Sequence, residues 1–164
     1  MRLLIKTPYM LYMFTNLLIN LKKFKDDVTI YFNIDGIYIQ EFDNAHICVL
    51  ELNIKNTWFG AGNYEVSDNE VISISCTTLA LVLSCFDKKH DTLIIECEDN
   101  DKLNITLDGK NGNKKDFSIP CMDIDKDIFE VPDIEFDLDI IMDIDLYRKT
   151  ITELFKFNQD MEII

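Results

Sequence analysis

The chain has 164 residues, of which 48% are hydrophobic, with only 5 Gly and 3 Pro, and its formal net charge is −14. This composition excludes an intrinsically disordered chain and supplies enough apolar side chains for the core of about one domain. A uniformly acidic surface would be repelled by phosphate groups, so any role on nucleic acid requires a separate basic surface.

The charges are indeed segregated along the sequence. Residues 1–25 contain five basic residues and no acidic one, whereas residues 116–146 contain eleven acidic residues and a single basic one, Lys126. An acidic run of this kind is typical of a solvent-exposed face.

The amino-terminal pattern predicts a short strand over Leu3–Lys6 and then a helix from Pro8 to about Lys23. Thr7 is the candidate N-cap, and proline is tolerated in a first helical turn. The apolar run Tyr9–Leu21 also has features of a signal peptide. It lacks a small-residue cleavage site and is too short to span a bilayer, so we predict a buried helix in an intracellular protein.

The next segments predict three strands in succession. Val28–Ile34 is a run of β-branched and aromatic residues, an Asp-Gly turn separates it from Ile37–Phe42, and His46–Ile54 follows as a strand whose side chains alternate. The remaining predictions up to residue 121 are a loop over Asn56–Gly62, a helix from Thr77 or Thr78 to Cys85, and strands over Tyr64–Val66, Glu70–Ser75, Leu93–Glu98, Leu103–Leu107 and Lys115–Cys121. This order predicts an α+β fold with antiparallel β-structure and two helices packed on one face.

The carboxy-terminal part repeats the opening of the chain. A strand, a helix and a strand are predicted over Phe136–Met142, Leu146–Phe157 and Met161–Ile164. At a constant offset of 133, five residues match: Leu21, Lys23, Phe24, Asp27 and Ile30 fall opposite Leu154, Lys156, Phe157, Asp160 and Ile163. The second unit therefore begins like the first and then stops.

No residue pattern indicates catalysis or a cofactor. His46 and Cys48 lie close in sequence but lack a third, orienting acid in a recognisable motif. The acidic residues from Asp123 onward begin like a calcium loop, but Ile128 and Ile134 occupy the positions that require Gly and Glu. The five cysteines form no Cys-x-x-Cys pair and are predicted to be reduced, mostly buried thiols: Cys48, Cys76, Cys85, Cys97 and Cys121.

The segment Ile37–Leu52, IYIQEFDNAHICVLEL, predicts two strands around a polar corner that presents His46. With the Cys-Thr-Thr-Leu helix start, the Asp-Thr-Leu-Ile-Ile-Glu strand and the acidic loop ending in Pro132, it resembles the sliding clamps of the proliferating cell nuclear antigen family. The resemblance implies a DNA-clamp fold, with a complete first domain over 1–120, an interdomain connecting loop over 121–135 and the opening of an incomplete second domain over 136–164.

The same resemblance implies a function without chemistry of its own. A clamp of this family is a DNA polymerase processivity factor, and its connecting loop and histidine corner line a groove that binds motif peptides of polymerases and other replication and repair proteins. Carried over to this sequence, the partner-peptide residues are Phe42, His46, Ile47, Phe129, Val131 and Pro132. The resemblance further implies a clamp loader as partner, a homo-oligomer (a trimer in the family), no cofactor, no membrane, and a nuclear or viral replication site.

Two further surfaces are expected from the resemblance. Non-specific contact with the backbone of double-stranded DNA would fall to Lys22, Lys23, Lys25, Arg148 and Lys149, and pairing between subunits to an edge strand containing Lys115, Asp116, Phe117, Ser118 and Ile119. Tyr12, Met13 and Asn16 stand where positive residues are expected, which predicts weak electrostatic tethering. The lysines could equally serve only to cap a helix end.

Two rival interpretations stay open at this point. The first is an acidic protein-interaction module that is not a clamp. The second is an enzyme with Cys48 as a reactive thiol.

Overall fold

The computed structural model describes residues 1–86, 90–98, 101–109, 112–124, 128–130 and 141–157, with only the backbone of His90 and Asp91. The described residues up to 124 form nine strands, two α-helices and a short 3-10 helix, Asn56–Phe59. The helices are α1 (Pro8–Leu21) and α2 (Cys76–Leu83). The strands are β1 (Arg2–Ile5), β2 (Asp27–Asn33), β3 (Gly36–Phe42), β4 (Val49–Lys55), β5 (Tyr64–Glu65), β6 (Glu70–Ser75), β7 (His90–Glu96), β8 (Lys102–Gly109) and β9 (Lys114–Pro120).

The strands form two antiparallel sheets. The five-stranded sheet has the order β5-β1-β7-β8-β9, and the four-stranded sheet has the order β4-β3-β2-β6. The predicted turn between β2 and β3 is closed by Asn33, whose Oδ1 accepts the N–H groups of Asp35 (2.9 Å) and Gly36 (3.1 Å). The α+β fold with antiparallel sheets is therefore confirmed.

One hydrophobic core joins both sheets and both helices. The buried residues of α1 recur at helical spacing and are Leu11, Phe14, Thr15, Leu18 and Leu21. Thr15 is tolerated there because its hydroxyl donates to the Leu11 carbonyl oxygen at 2.7 Å. The helix α2 packs beside α1 and buries Leu79 and Leu83 among side chains of the two sheets. Two helices thus cover one continuous apolar layer, as the sequence predicted.

Helix boundaries differ from the predictions at three points: the end of α1 and both ends of α2. Helix α1 ends at Leu21 rather than Lys23, α2 ends at Leu83 rather than Cys85, and Thr7 makes no capping hydrogen bond through its side chain. Helix α2 begins at Cys76 rather than at Thr77 or Thr78, because β6 leads directly into it with Ser75 as N-cap. The Cys76 N–H donates to the Asp26 carbonyl oxygen at 2.8 Å, which fixes this start without a threonine cap.

The predicted loop after β4 contains the 3-10 helix, and its aromatic residues explain why the loop is ordered. Phe59 is buried, lies edge-on to Phe14 of α1 at 5.9 Å between ring centroids, and stacks on Tyr64 at 5.3 Å. Beside it, α1, β4 and Trp58 enclose a recess of about 560 Å³.

The chain divides into two compact units, Met1–Phe129 and Glu130–Ile164. In the second unit, α3 spans Ile144–Leu154, earlier than the predicted Leu146–Phe157, because Asp143 caps it by accepting the N–H groups of Asp145 and Leu146. Residues 141 and 142 are not in a strand, and the rest of the two strands predicted here lies outside the described residues. The predicted domain limits stay predictions.

Among the described residues, no helix is long and apolar enough to cross a membrane.

Candidate functional site

The polar corner between β3 and β4 is longer than the sequence predicted. Residues 43–48 form a loop, and β4 begins at Val49 rather than at His46, so the predicted strand start was wrong by three residues. The loop is closed at its base, where the Asp43 N–H donates to the Cys48 carbonyl oxygen at 3.0 Å. His46 takes the left-handed conformation, with a φ of 56°. This conformation places it outside any strand.

Asp43 is the reason for the longer loop. Its carboxylate accepts the N–H groups of Ile47 (2.7 Å) and Cys48 (2.8 Å) on one oxygen, and that of Ala45 (3.3 Å) on the other. These bonds to main-chain donors, led by the one from Cys48, lower the pKa of the carboxyl. The ionised side chain therefore replaces strand pairing as the partner of these amides.

An aromatic cluster joins the corner to Phe129 of the predicted connecting loop. The ring of Phe42 stacks on the imidazole of His46 (centroids 5.5 Å apart, planes at 16°). The same ring meets Phe129 edge-on, with centroids 5.4 Å apart. Phe42 and Phe129 are 87 positions apart in sequence, so the fold brings together two segments that the sequence predicted to share one site. We call Phe42, His46 and Phe129 the corner–loop cluster.

Gln40 fixes Phe129 in this position. Its side-chain N–H donates to the Phe129 carbonyl oxygen at 2.7 Å, and its Oε1 accepts the Phe129 N–H at 2.7 Å. Gln40 is buried, so these two bonds satisfy an amide that would otherwise be costly to bury. The two bonds resemble those between neighbouring strands, except that the Gln40 side-chain amide takes the place of one main-chain amide.

The surface around the cluster is apolar and accessible. Ile47 is 86% exposed, and Ile128 and Phe129 are 54% and 47% exposed. Exposed apolar side chains beside ordered main chain are typical of peptide-binding surfaces. Val131 and Pro132, the other two predicted residues of the groove, lie outside the described residues.

The residues predicted to face DNA are found in two different units. Lys22 and Lys23 are exposed at the end of α1, and Lys25 is half-buried in the turn that follows. Arg148 and Lys149 lie on α3, where the Arg148 guanidinium is 3.5 Å from the Asp145 carboxylate. The three lysines belong to the first unit, and Arg148 and Lys149 belong to the second. A DNA-facing surface formed by both groups therefore stays a prediction.

The predicted interface strand, β9, forms one edge of the five-stranded sheet. Lys115 points inward and donates to the Cys85 carbonyl oxygen at 2.8 Å, just after α2. The Asp116 carboxylate accepts a hydrogen bond from the Thr106 hydroxyl (2.7 Å) and pairs with Lys114 (3.0 Å). These contacts, chiefly the one from Thr106, lower the pKa of the Asp116 carboxyl.

The other three predicted interface residues of β9 alternate between the core and the surface. Phe117 and Ile119 pack on the core, and Ser118 is exposed. A role in pairing between subunits stays a prediction.

The thiol-enzyme interpretation depends on Cys48, which lies at the end of the corner loop. Cys48 is exposed rather than buried as most cysteines were expected to be, and the nearby Asp43 carboxylate binds main-chain amides. Within the part of the chain that is described, no group of three His, Cys, Asp or Glu side chains could hold a metal ion.

Sequence reasoning missed the two residues that organise the site. Gln40 and Asp43 lie within the segment Ile37–Leu52, but no periodic pattern marks a side chain that binds main chain 89 residues away. A buried glutamine on a strand is itself a weak signal, because a buried amide requires partners.

Comparison with known proteins gives one family match. The model of the family described as "Proliferating cell nuclear antigen, N-terminal domain" matches residues 11–129, more than half of the chain. No curated protein matches the sequence.

Solved structures share the fold. A crystal structure of PCNA from Thermococcus kodakaraensis is 22% identical, with a TM-score of 0.71 over 81% of this chain and 51% of its own. PCNA2-PCNA3 from Sulfolobus tokodaii, described as a complex, includes a chain 23% identical, with a TM-score of 0.70 over 84% of this chain and 52% of its own. The present chain thus spans about half the length of these relatives. It belongs to the proliferating cell nuclear antigen family of DNA sliding clamps.

Proposed function

We propose that this chain is the peptide-docking part of a DNA polymerase processivity factor, which holds replication and repair proteins on double-stranded DNA and performs no chemistry. The observation that carries the proposal is the corner–loop cluster: Phe42 contacts both His46 and Phe129. The sequence resemblance placed the peptide groove between these same two segments.

The physical basis for docking is an ordered apolar surface beside a main chain with a fixed direction. Gln40 holds Phe129 through two hydrogen bonds, so the loop residue pays little ordering entropy when a peptide binds. Aromatic or aliphatic anchors of the peptide would contact Ile47 and Phe129, and its backbone would run beside the loop.

The proposed DNA contact is electrostatic and weak. Lys22, Lys23 and Lys25 supply positive charge in the first unit, and Arg148 and Lys149 in the second, in a chain with a net charge of −14. Phosphate contacts of this type are independent of sequence and weaken steeply with added salt. The proposed partners are therefore duplex DNA, a polymerase and other proteins with motif peptides, a clamp loader and further copies of the clamp, in the nucleus or at a viral replication site.

A peptide-binding titration tests the docking role. The probe is a synthetic peptide with two neighbouring aromatic residues and one aliphatic anchor, labelled for fluorescence anisotropy. Phe129→Ala and His46→Ala are each expected to weaken binding at least about fivefold, because both truncations remove part of the cluster. Gln40→Leu is expected to weaken binding as well, although Gln40 is buried, because it frees the Phe129 main chain.

Ile34→Ala is the matched control. Ile34 is also an exposed aliphatic residue (73%), but it lies in the turn at the opposite end of β3 from Phe42. Unchanged binding in Phe129→Ala and His46→Ala, or an equal loss in Ile34→Ala, would contradict the proposal and favour an acidic interaction module of another kind. A catalytic activity lost in Cys48→Ser with peptide binding intact would favour the thiol enzyme.

A further inference from the structure

The outward face of α1 combines exposed aromatic residues with flanking lysines. Tyr9 is 70% exposed and Tyr12 is 61% exposed, and the spacing of three residues places them next to each other on the helix surface. Met13 and Asn16 continue this face, which covers about 16 Å between Tyr9 and Asn20 at the rise of an α-helix. We call Tyr9, Tyr12, Met13, Asn16 and Asn20 the tyrosine face.

Positive charge lies at both ends of the tyrosine face. Lys6 is exposed just before α1, and Lys22 and Lys23 are exposed just after it. The whole stretch 1–25 contains no acidic residue, although the chain carries a net charge of −14. The neighbouring surface of α2, formed by Thr77, Thr78, Leu81 and Ser84, is uncharged as well. Among the described residues, neither α1 nor this surface of α2 carries a carboxylate, and the exposed Asp26 follows only after Lys25. In so acidic a protein, such a face is complementary to a polyanion.

The aromatic rings on the tyrosine face indicate which kind of polyanion would bind there. In a duplex the bases are stacked on one another, so their faces are closed to protein side chains, and binding depends on rows of cations along the phosphates. Here the middle of the face offers phenol rings in place of cations. Unpaired bases have open π-faces, and proteins that bind single strands combine aromatic rings for the bases with cations for the backbone.

We infer that the tyrosine face binds a single-stranded nucleic acid, with bases stacked on Tyr9 and Tyr12 and phosphates paired with Lys6, Lys22 and Lys23. The inference rests on the DNA-binding part of the proposed function and adds a second ligand form, unpaired nucleotides, to the duplex. A clamp with such a face would hold exposed template or primer strands.

The first test compares aromatic and non-aromatic variants. The probes are labelled oligothymidylate and oligouridylate of about twelve nucleotides and a duplex of the same length, measured by anisotropy at low salt. The double variant Tyr9→Ala/Tyr12→Ala is expected to weaken single-strand binding at least about tenfold and to change duplex binding less than about twofold. Tyr9→Phe/Tyr12→Phe is expected to keep single-strand binding, because the rings remain. A preference between the two oligonucleotides identifies DNA or RNA as the ligand.

The second test uses salt. Three phosphate contacts predict a slope of about −2 in a plot of log affinity against log salt concentration for a single strand. Lys6→Gln/Lys23→Gln is expected to reduce the slope to about −0.7, while Ile34→Ala, a control outside the face, leaves it unchanged.

Several outcomes would overturn the inference. One is that the wild type binds neither oligonucleotide, and another is that the alanine variant binds single strands as well as the wild type does. A third is that the phenylalanine variant loses as much single-strand affinity as the alanine variant, and a fourth is that the alanine variant loses as much duplex affinity as single-strand affinity.

All substituted side chains are exposed, and far-ultraviolet circular dichroism checks that each variant is folded. Duplex and peptide binding without single-strand binding would leave the proposed function standing. Single-strand binding without peptide binding would reject the docking role alone.

Discussion

At the residue scale, one side chain decides the geometry of the corner. The Asp43 carboxylate binds three main-chain amides and thereby holds His46 in a left-handed conformation beside Phe42. A non-glycine residue with positive φ is uncommon and requires support from its surroundings. The imidazole is thus placed by the backbone of the loop, and the presentation of the site depends on a residue that is not itself expected to contact a peptide.

Asp43 also predicts a pH dependence of stability. Its pKa is lowered in the folded state, so its contribution is fully present above the ordinary carboxyl pKa of 3.8 and is lost as the pH falls through the lowered value. The difference in unfolding free energy between the wild type and Asp43→Asn is therefore expected to narrow as the pH falls below 3.8. Urea unfolding of both proteins in a series of acidic buffers measures this difference in unfolding free energy at each pH. A difference that stays constant, or one that widens in acid, would show that the carboxylate does not hold the corner.

Gly36 predicts a large effect of a single methyl group. Its φ is 145°, and a Cβ at this position would lie only 2.1 Å from the Ile54 carbonyl oxygen of β4. Gly36→Ala must therefore displace the backbone where β3 pairs with β4. We expect it to lower the free energy of unfolding by at least about 2 kcal/mol, measured by urea unfolding.

Gly62→Ala is the control for this substitution. Gly62 also has a positive φ, 72°, but an added Cβ would meet no atom within 4 Å. It should therefore cost only the conformational strain, about 1 kcal/mol. Equal losses of stability in the two variants would mean that backbone strain alone, and not the contact with β4, causes the effect of Gly36→Ala.

At the element scale, the end of α2 is joined to the edge strand β9. The Lys115 ammonium group donates to the Cys85 carbonyl oxygen, close to the negative end of the helix dipole. Lys115→Met is expected to lower stability by about 1 kcal/mol. Lys114→Met should change it by less than about 0.5 kcal/mol, because Lys114 pairs with the exposed Asp116. Thermal unfolding of the two variants separates a helix-end contact from a surface ion pair, and a larger loss in Lys114→Met would reverse this assignment.

The elements themselves were largely predictable from sequence, and their junctions were not. A run of β-branched and aromatic residues before an Asp-Gly turn identified β2 and β3, and an apolar run between Pro8 and the lysines identified α1. Alternation along His46–Ile54 extended β4 back to His46, where the hydrogen bonds of Asp43 override it. The contact between Gln40 and Phe129 depends on tertiary structure, so no local pattern could predict it. Resemblance to the clamp corner, rather than periodicity, brought Phe42, His46 and Phe129 into one predicted site.

At the scale of the first unit, the two sheets are connected by side chains as well as by the core. Tyr64 belongs to β5 of the five-stranded sheet, yet its hydroxyl lies within hydrogen-bond distance of the carbonyl oxygens of Asn33 (2.9 Å) and Gly36 (2.6 Å) in the turn of the four-stranded sheet and shares its one proton between them. Its ring stacks on Phe59. Burial of the hydroxyl, opposed by the Asn33 contact, raises the pKa of Tyr64 to about 12. The hydroxyl therefore stays protonated and able to donate throughout the neutral range.

This connection predicts that removing one oxygen atom destabilises the first unit. Tyr64→Phe keeps the ring stack but leaves two turn carbonyl oxygens without this donor, so we expect a loss of about 1–2 kcal/mol in the free energy of unfolding. Tyr38→Phe removes a hydroxyl that donates to the exposed Glu51 at 3.1 Å, and should cost less than about 0.5 kcal/mol. Urea unfolding measures the loss in each variant. The slope of the unfolding free energy against urea concentration should stay unchanged, because the surface exposed on unfolding is the same. If the two variants lose equally, water replaces the tyrosine at the turn, and the sheets are held together by the shared core alone.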